Sequence, residues 1–314
     1  MNLTRRSLPA VALVLTSFAL TGCPSGNGTT SGAESGHAAP ARPTKLVFGF
    51  VPSAEANKIA DSAKPMADFI AKEVGIPVET FTSTDYAGMI EAMDSKKVDI
   101  GSLPPLAYVL AKDKNAADVI IKTSRHGSLT YHAMFTTRAT SGIKSIEEAK
   151  GKRMAFTDAN STSGYLFPVA YLKKKGLDPE TFFAQTTFAG SHDNAIRAVY
   201  NGDVDVAATY DDARNKLEKD PTTTDVKAKV IKIGQTDEIP NDTISVRTGL
   251  DPELVKKIKE ALIKYAHTEE GKKTLNDVYE VDDLVEAKDG DYDAVREVAK
   301  ALDFQIGSLK KKKK

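Results

Sequence analysis

The 314-residue chain has one cysteine, no tryptophan and no net charge, with 43 basic residues against 43 acidic ones. A single cysteine excludes an intramolecular disulfide and any thiolate metal cage within one molecule. Balanced charge leaves no overall electrostatic footprint for nucleic acid, so none is expected as a partner. The five histidines, His37, His126, His132, His192 and His267, lack H-E-x-x-H or Cys/His spacing, so no metal site is implied. No G-x-S-x-G elbow occurs: Ser161 stands where the first glycine around Ser163 would be needed. A hydrolase using Ser, His and Asp in a cleft, or a binding protein for another small anion or a metal, remains as the alternative reading. What the chain does have is 41% hydrophobic residues, enough for sizeable cores in one or two domains.

Arg5 and Arg6 precede an apolar segment from Leu8 to Leu20, too short for a comfortable membrane span. It ends in Leu20-Thr21-Gly22-Cys23. Residues 1–22 read as a signal peptide. Small residues directly before a cysteine resemble the bacterial lipobox, in which the cysteine is diacylated and becomes the mature N-terminus. Cys23 is the expected lipidation site, the other reading being an ordinary cleaved signal with an incidental cysteine. Residues 23–44 are mostly Gly, Ser, Thr, Ala and Pro, a composition that buries no core and makes a flexible tether. The expected location is extracytoplasmic, anchored by lipid at the outer face of the cell membrane or in the periplasm. The Lys-rich stretch 306–314 reads as a solvated tail, or as a contact to anionic lipid.

From Leu46 onward apolar strands alternate with amphipathic helices. Leu46 to Val51 reads as a buried strand and Ser53 as the cap of a helix that stops at Gly75. Val78 to Phe81 and Val98 to Ile100 are strands, with a helix from Tyr86 to Met93 between them. Such alternation argues for βαβ units and largely parallel pairing. The stretch from Ile90 to Ile100 echoes that from Ile196 to Val206, an offset of 106 residues. The spacing predicts two similar α/β lobes, each a mixed, mostly parallel sheet flanked by helices. Tyr131 to Thr137 and Thr243 to Arg247 are expected as crossover strands between them. Lobe 1 then comprises 45–138 plus 247–305 and lobe 2 comprises 139–246. Ligands of open α/β sheets bind outside the carboxyl ends of strands, here in the cleft.

Four groups of residues fall at such ends. Ser161-Thr162-Ser163-Gly164 precedes an apolar helix ending in three lysines and Gly176. Free N–H groups and hydroxyls there suit an anion, and the same residues suit a plain helix cap. Pro168 sits awkwardly in that helix. His192, after Gly190-Ser191, starts a second helix and is either a donor or an exposed loop histidine. Asp211, Asp212 and Asp242 are carboxylates at strand ends or turns, able to read a donor on the ligand or simply to be solvated. Tyr86, Tyr131 and Ser102 could line the cleft, the tyrosines alternatively being packing residues. Neutral donors and helix dipoles suffice to hold an anion in this reading, so no buried arginine is needed.

The ordered set Asp85-Tyr86-Ala87-Gly88, Val98-Asp99-Ile100-Gly101, Asn160 to Tyr165, Gly190-Ser191-His192 with Asn194-Ala195, and Ile239-Pro240-Asn241-Asp242 resembles the phosphate, phosphite and phosphonate (PhnD-type) substrate-binding proteins of ABC importers. The similarity runs from about Leu46 to Leu302. It implies the type II periplasmic-binding-protein fold and a receptor without catalysis or cofactor. Its partners would be a small phosphorus oxyanion and a membrane permease, with the receptor a monomer. By matching position it places the oxyanion on Ser161, Thr162, Ser163 and adjacent amides such as Gly164, with His192, Tyr86, Tyr131 and Asp242 around it. Asp212, with Asp211 beside it, matches the acidic residue of binders that take an amino group. The aromatic pair that some phosphonate binders carry after the Val-Asp-Ile strand is replaced here by Ser102-Leu103.

Overall fold

A computed structural model describes residues 42–54 and 56–304. The signal segment, Cys23, most of the tether and the lysine tail lie outside the described residues. Among the described residues eleven strands form two sheets. The first half supplies β1 (Leu46–Phe50), α1 (Ala56–Val74), β2 (Val78–Thr82), α2 (Tyr86–Asp94), β3 (Ile100–Leu103), α3 (Pro105–Asp113) and β4 (Ala117–Ser124). After β5 (Thr130–Arg138) come β6 (Arg153–Phe156), α4 (Phe167–Lys174), α5 (Pro179–Phe182), β7 (Gln185–Phe188), α6 (His192–Asn201) and β8 (Val206–Tyr210). Then follow α7 (Arg214–Glu218), α8 (Val226–Lys229), β9 (Val230–Pro240), β10 (Thr243–Arg247), α9 (Pro252–Ala266), α10 (Glu269–Tyr279), β11 (Asp283–Glu286) and α11 (Asp293–Ala301).

The first sheet runs β11-β4-β10-β3-β1-β2 and the second β7-β6-β8-β5-β9. The sheets are mixed, with more antiparallel pairing than expected. Parallel pairs are confined to β2-β1-β3 and β7-β6-β8, and every other pairing is antiparallel. The lobe boundaries also shift. Strand β5 pairs with β8 and β9 in the second sheet, and β10 pairs with β3 and β4 in the first. Each strand belongs to the sheet it enters, because its backbone donors are satisfied only after the crossing. The crossings are the short links 125–129 and 241–242.

The echo extends through the whole βαβαβ unit. Helix α2 begins at Tyr86 and α6 at His192, and β3 begins at Ile100 and β8 at Val206, both 106 residues apart. The same bonds recur in each copy. The Asp99 carboxylate accepts from the Val47 backbone N–H at 2.9 Å, and Asp205 accepts from that of Arg153 at 2.9 Å. Each carboxylate also holds an arginine, Arg247 in the first lobe and Arg153 in the second.

One core lies on the first sheet under α1, α9 and α10, built from Phe48, Ile70, Leu254, Ile258 and Tyr265. Two others cover the faces of the second sheet. A fourth joins the lobes: Tyr86, Leu106, Tyr108 and Val295 pack in one cluster with Leu166, Phe167 and Ile239. Gly49 and Gly101 face each other on β1 and β3. A Cβ on Gly49 would lie 2.5 Å from Met89 Cε and one on Gly101 2.5 Å from Met93 Sδ, so the two glycines let α2 lie close on the sheet and fix where Tyr86 stands.

Candidate functional site

Between the sheets, beyond the carboxyl ends of β1, β3 and β8, lies a small cavity of about 30 Å³. Val51, Ser53, Tyr86, Ser102 and Pro104 line it from the first lobe. Tyr131, Ser161, Ser163, His192, Tyr210 and Lys216 line it from the second. The two links contribute Arg125 and Asp242. Seven residues selected from sequence therefore meet there: Tyr86, Ser102, Tyr131, Ser161, Ser163, His192 and Asp242. Thr162, Gly164, Asp211 and Asp212 do not form its wall.

The hydroxyl triplet divides its work. Ser161 is the cap: its Oγ accepts from the Gly164 N–H at 3.0 Å. Residues Thr162–Leu166 then form a wide π turn, in which the Leu166 N–H donates to the Ser161 carbonyl at 3.1 Å. That turn removes the difficulty with Pro168, because α4 restarts at Phe167 and places the proline in its first turn, where no N–H is required. The Gly164 carbonyl, which an ordinary residue at 168 would have bonded, accepts from the Thr157 N–H at 3.1 Å. A Cβ at 164 would lie 2.3 Å from the Thr157 Cβ, so Gly164 is a packing glycine. Thr162 ties the lobes together: its Oγ1 accepts from the Leu106 N–H of α3, in the other lobe, at 2.8 Å, and its side chain also lies beside the Tyr131 hydroxyl. Ser163 lines the cavity with its hydroxyl beside that of Tyr131.

The lobes cap one another in further places. The Asp158 carboxylate accepts from the Asn160 N–H at 2.7 Å and also from the Tyr86 N–H at the start of α2. Burial nevertheless holds the Asp158 pKa above its ordinary value. The His192 N–H, at the start of α6, donates to the Ser53 carbonyl at 3.1 Å. The positive ends of α2, α3 and α6 thus converge on the cleft.

His192 is buried, and its ring packs edge-on against Tyr210 at 4.8 Å. Its Nδ1 faces the Thr157 hydroxyl at 3.2 Å and the Tyr210 backbone N–H at 3.4 Å. The Tyr210 N–H can only donate, and an Nδ1 that accepts from it leaves the proton on Nε2 as a donor. Burial, with Lys216 and Arg125 nearby, pushes the pKa down to about 3, so the ring is neutral at ordinary pH.

Sequence reasoning missed the charged part of the wall. It held that no arginine need be buried, yet Arg125 sits in the link before β5 with its side chain only 13% exposed. Its Nη2 donates to the Asp242 Oδ2 at 2.6 Å, and its guanidinium lies 5.7 Å from the centre of the Tyr131 ring. A tight turn holds it: Arg125 and Ser128 exchange backbone bonds of 3.0 and 2.9 Å, with His126 and Gly127 at φ of 51° and 73°. The His-Gly pair signals that turn in sequence, but nothing there tells which way Arg125 points. Lys216 on α7 is the second cation, and burial draws its pKa down while Asp193 opposes this.

Asp211 and Asp212 are corrected by the same geometry. They lie on the turn leaving β8, where basic partners take them up. Asp212 receives both Nε and Nη2 of Arg214, and Asp211 holds Lys232 at 2.7 Å. Each carboxylate is thus paired with a cation and neither forms the wall of this cavity, although Asp211 lines an adjoining pocket that shares Arg125, Tyr131 and Tyr210 with it.

The family model described as the periplasmic substrate-binding protein of a phosphonate ABC transporter matches residues 48–292. A protein of Mycolicibacterium smegmatis named phosphate-import protein PhnD is 29% identical over 82% of this chain and 85% of its own length. The phosphonates-binding periplasmic protein of Escherichia coli is 31% identical over 73% of this chain and 69% of its own. The crystal structure of a binding-protein component of a Pseudomonas aeruginosa phosphonate ABC transporter superposes with a TM-score of 0.75 at 28% identity, covering 81% of this chain and 85% of that one. Two lobes, two short links and a cavity between them are the type II periplasmic-binding-protein fold, and the chain belongs to the phosphonate-binding family of ABC-transporter periplasmic substrate-binding proteins.

Proposed function

We propose that this protein is a lipid-anchored receptor that captures a small phosphorus oxyanion, phosphate, phosphite or a phosphonate, between its lobes and delivers it to a membrane permease as a monomer. One observation carries this reading: the cavity combines two cations, Arg125 and Lys216, with the neutral donors Ser163, His192, Tyr86 and Tyr131 in a volume of about 30 Å³. The names of the mycobacterial and E. coli relatives point to phosphate and phosphonates respectively. Charge-assisted hydrogen bonds contribute roughly 1.5–3 kcal/mol each, so a handful offsets the cost of closing the lobes. Ser161, Thr162 and Gly164 shape and hold the site, while Ser163 contacts the ligand. Asp242 presents an acceptor to a protonated ligand oxygen, which a fully ionised sulfate lacks.

The hydrolase alternative is disfavoured by the histidine. An imidazole with a pKa of about 3 is far too weak a base to activate a serine near neutral pH. Calorimetric titration with phosphate, phosphite, methylphosphonate and sulfate tests the receptor reading. Micromolar or tighter binding of at least one phosphorus compound, with sulfate much weaker, is expected. Absence of binding to all phosphorus compounds would discard it. Fatty-acid labelling in cells, lost in Cys23→Ser, tests the anchor. Among the described residues no helix is long and apolar enough to cross a membrane.

A further inference from the structure

We infer that Ser53 is a ligand contact of the first lobe, through which a bound oxyanion holds the lobes closed. The inference rests on the phosphorus-oxyanion reading above and adds a residue to it. Among the described residues, Ser53 Oγ and Arg125 Nε are the two polar side-chain atoms of the cavity wall that are buried without a hydrogen-bond partner. Arg125 meets a ligand as a cation, whereas Ser53 brings a neutral donor. The sequence suggests a different use for that hydroxyl, as the cap of the following helix. Helix α1 begins only at Ala56, and the hydroxyl finds no partner there. A buried hydroxyl left unpaired is costly, and an oxyanion oxygen is the acceptor that would satisfy its O–H.

The backbone sets this hydroxyl at the seam between the lobes. The Ser53 N–H donates to the Val51 carbonyl at 2.9 Å, and the Phe50 carbonyl accepts from the Ser83 N–H at 3.1 Å, so the chain leaving β1 is tied down. Across the cleft, the Ser53 carbonyl accepts from the His192 N–H at 3.1 Å, one of the donors that α6 cannot satisfy internally. That bond needs the lobes together, and it sets the side chains of Ser53 and His192 on one cavity wall. An oxyanion beside them is gripped from both lobes at once. Opening returns the Ser53 hydroxyl to water. Closing on an oxyanion pairs it, and closing without one buries it unpaired. Ser53 therefore makes closure depend on the ligand.

Ser53→Ala in the intact mature protein is the test, by calorimetry with phosphate, phosphite and methylphosphonate and by stopped-flow mixing followed through tyrosine emission. Affinity for the compound that the wild type binds most tightly should fall about tenfold or more, the effect of losing one hydrogen bond to a charged group. The loss should lie in the dissociation rate, with association changed by no more than about twofold, because the contact forms on closing. A residue with only a structural role would lower the melting temperature and leave both rates where they were. Unchanged affinity in the folded variant overturns the inference and leaves the receptor reading intact, as does a loss confined to association. Ser53→Gly, which also removes the hydroxyl, gives the same readings if the alanine variant does not fold. A wild type that binds no phosphorus compound removes the receptor reading and this inference together.

Discussion

Ser161 and Ser163 lie two positions apart and are expected to fail differently. Ser161 spends its hydroxyl on the Gly164 N–H, so Ser161→Ala should cost about 1 kcal/mol of stability, the usual worth of a cap. Ser163 lines the cavity, so Ser163→Ala should weaken ligand binding on the order of tenfold while leaving the melting temperature nearly unchanged. Thermal melts and calorimetry on the two variants check this, and equal behaviour of the pair would contradict the division of roles. His192 gives a prediction in pH. Its folded-state pKa of about 3 lies below the ordinary 6.5, so on acidification the unfolded chain takes up that proton first. Its contribution to stability is complete above about pH 6.5 and is lost progressively as pH falls toward 3. The slope is at most about 1.4 kcal/mol per pH unit in that window. His192→Gln should flatten the decline in melting temperature between pH 6.5 and 4; an unchanged slope would show that another group is responsible. The sequence made the donors legible because hydroxyls and a histidine at strand ends are visible as residue types. Arg125 was invisible in that role, because a long flexible side chain on a turn gives no periodic signal of its direction.

Among the elements, the repeated βαβαβ unit makes its own demands. Asp99 and Asp205 each tie the start of one strand to its neighbour and to an arginine. The first pair is the more buried, its side chains 8% and 13% exposed against 22% and 42% for the second. Removing one partner of a buried pair strands the other's charge, whereas a solvated pair is screened. Asp99→Ala should therefore destabilise by about 3 kcal/mol or more, and Asp205→Ala by roughly half that or less. Chemical denaturation measures both, and a reversed order would undo the argument from burial. The alternation of helix and strand was readable from hydrophobic periodicity, as was the echo that relates the lobes. Sheet membership was not. The alternating side chains of β5 look the same whichever sheet they join, and only the neighbouring backbone decides. β4, β9 and β11 complete the sheets by antiparallel pairing, which the βαβ pattern does not announce.

For the whole molecule, the residues that hold the lobes together are mostly not those that face the cavity. Thr162 caps α3 and Asp158 caps α2 across the cleft. Opening would expose those N–H groups to water at little cost, whereas a closed Thr162→Val protein would bury one unpaired. That substitution should weaken ligand binding by roughly fivefold to a hundredfold with little change in the unliganded protein's melting temperature. Solution scattering should show less compaction on adding saturating phosphate than in the wild type, and identical affinity and compaction would show that closure does not depend on this bond.

The Arg125–Asp242 pair spans the two links through which the chain passes between lobes. A rotation of one lobe about these links is smallest there and largest at the distant rims. The charged end of the ligand would thus be gripped at a fulcrum. A displacement of a fraction of an ångström, such as a ligand oxygen seating on Arg125 or failing to, is multiplied by the length of the lobe before it reaches the outer surface.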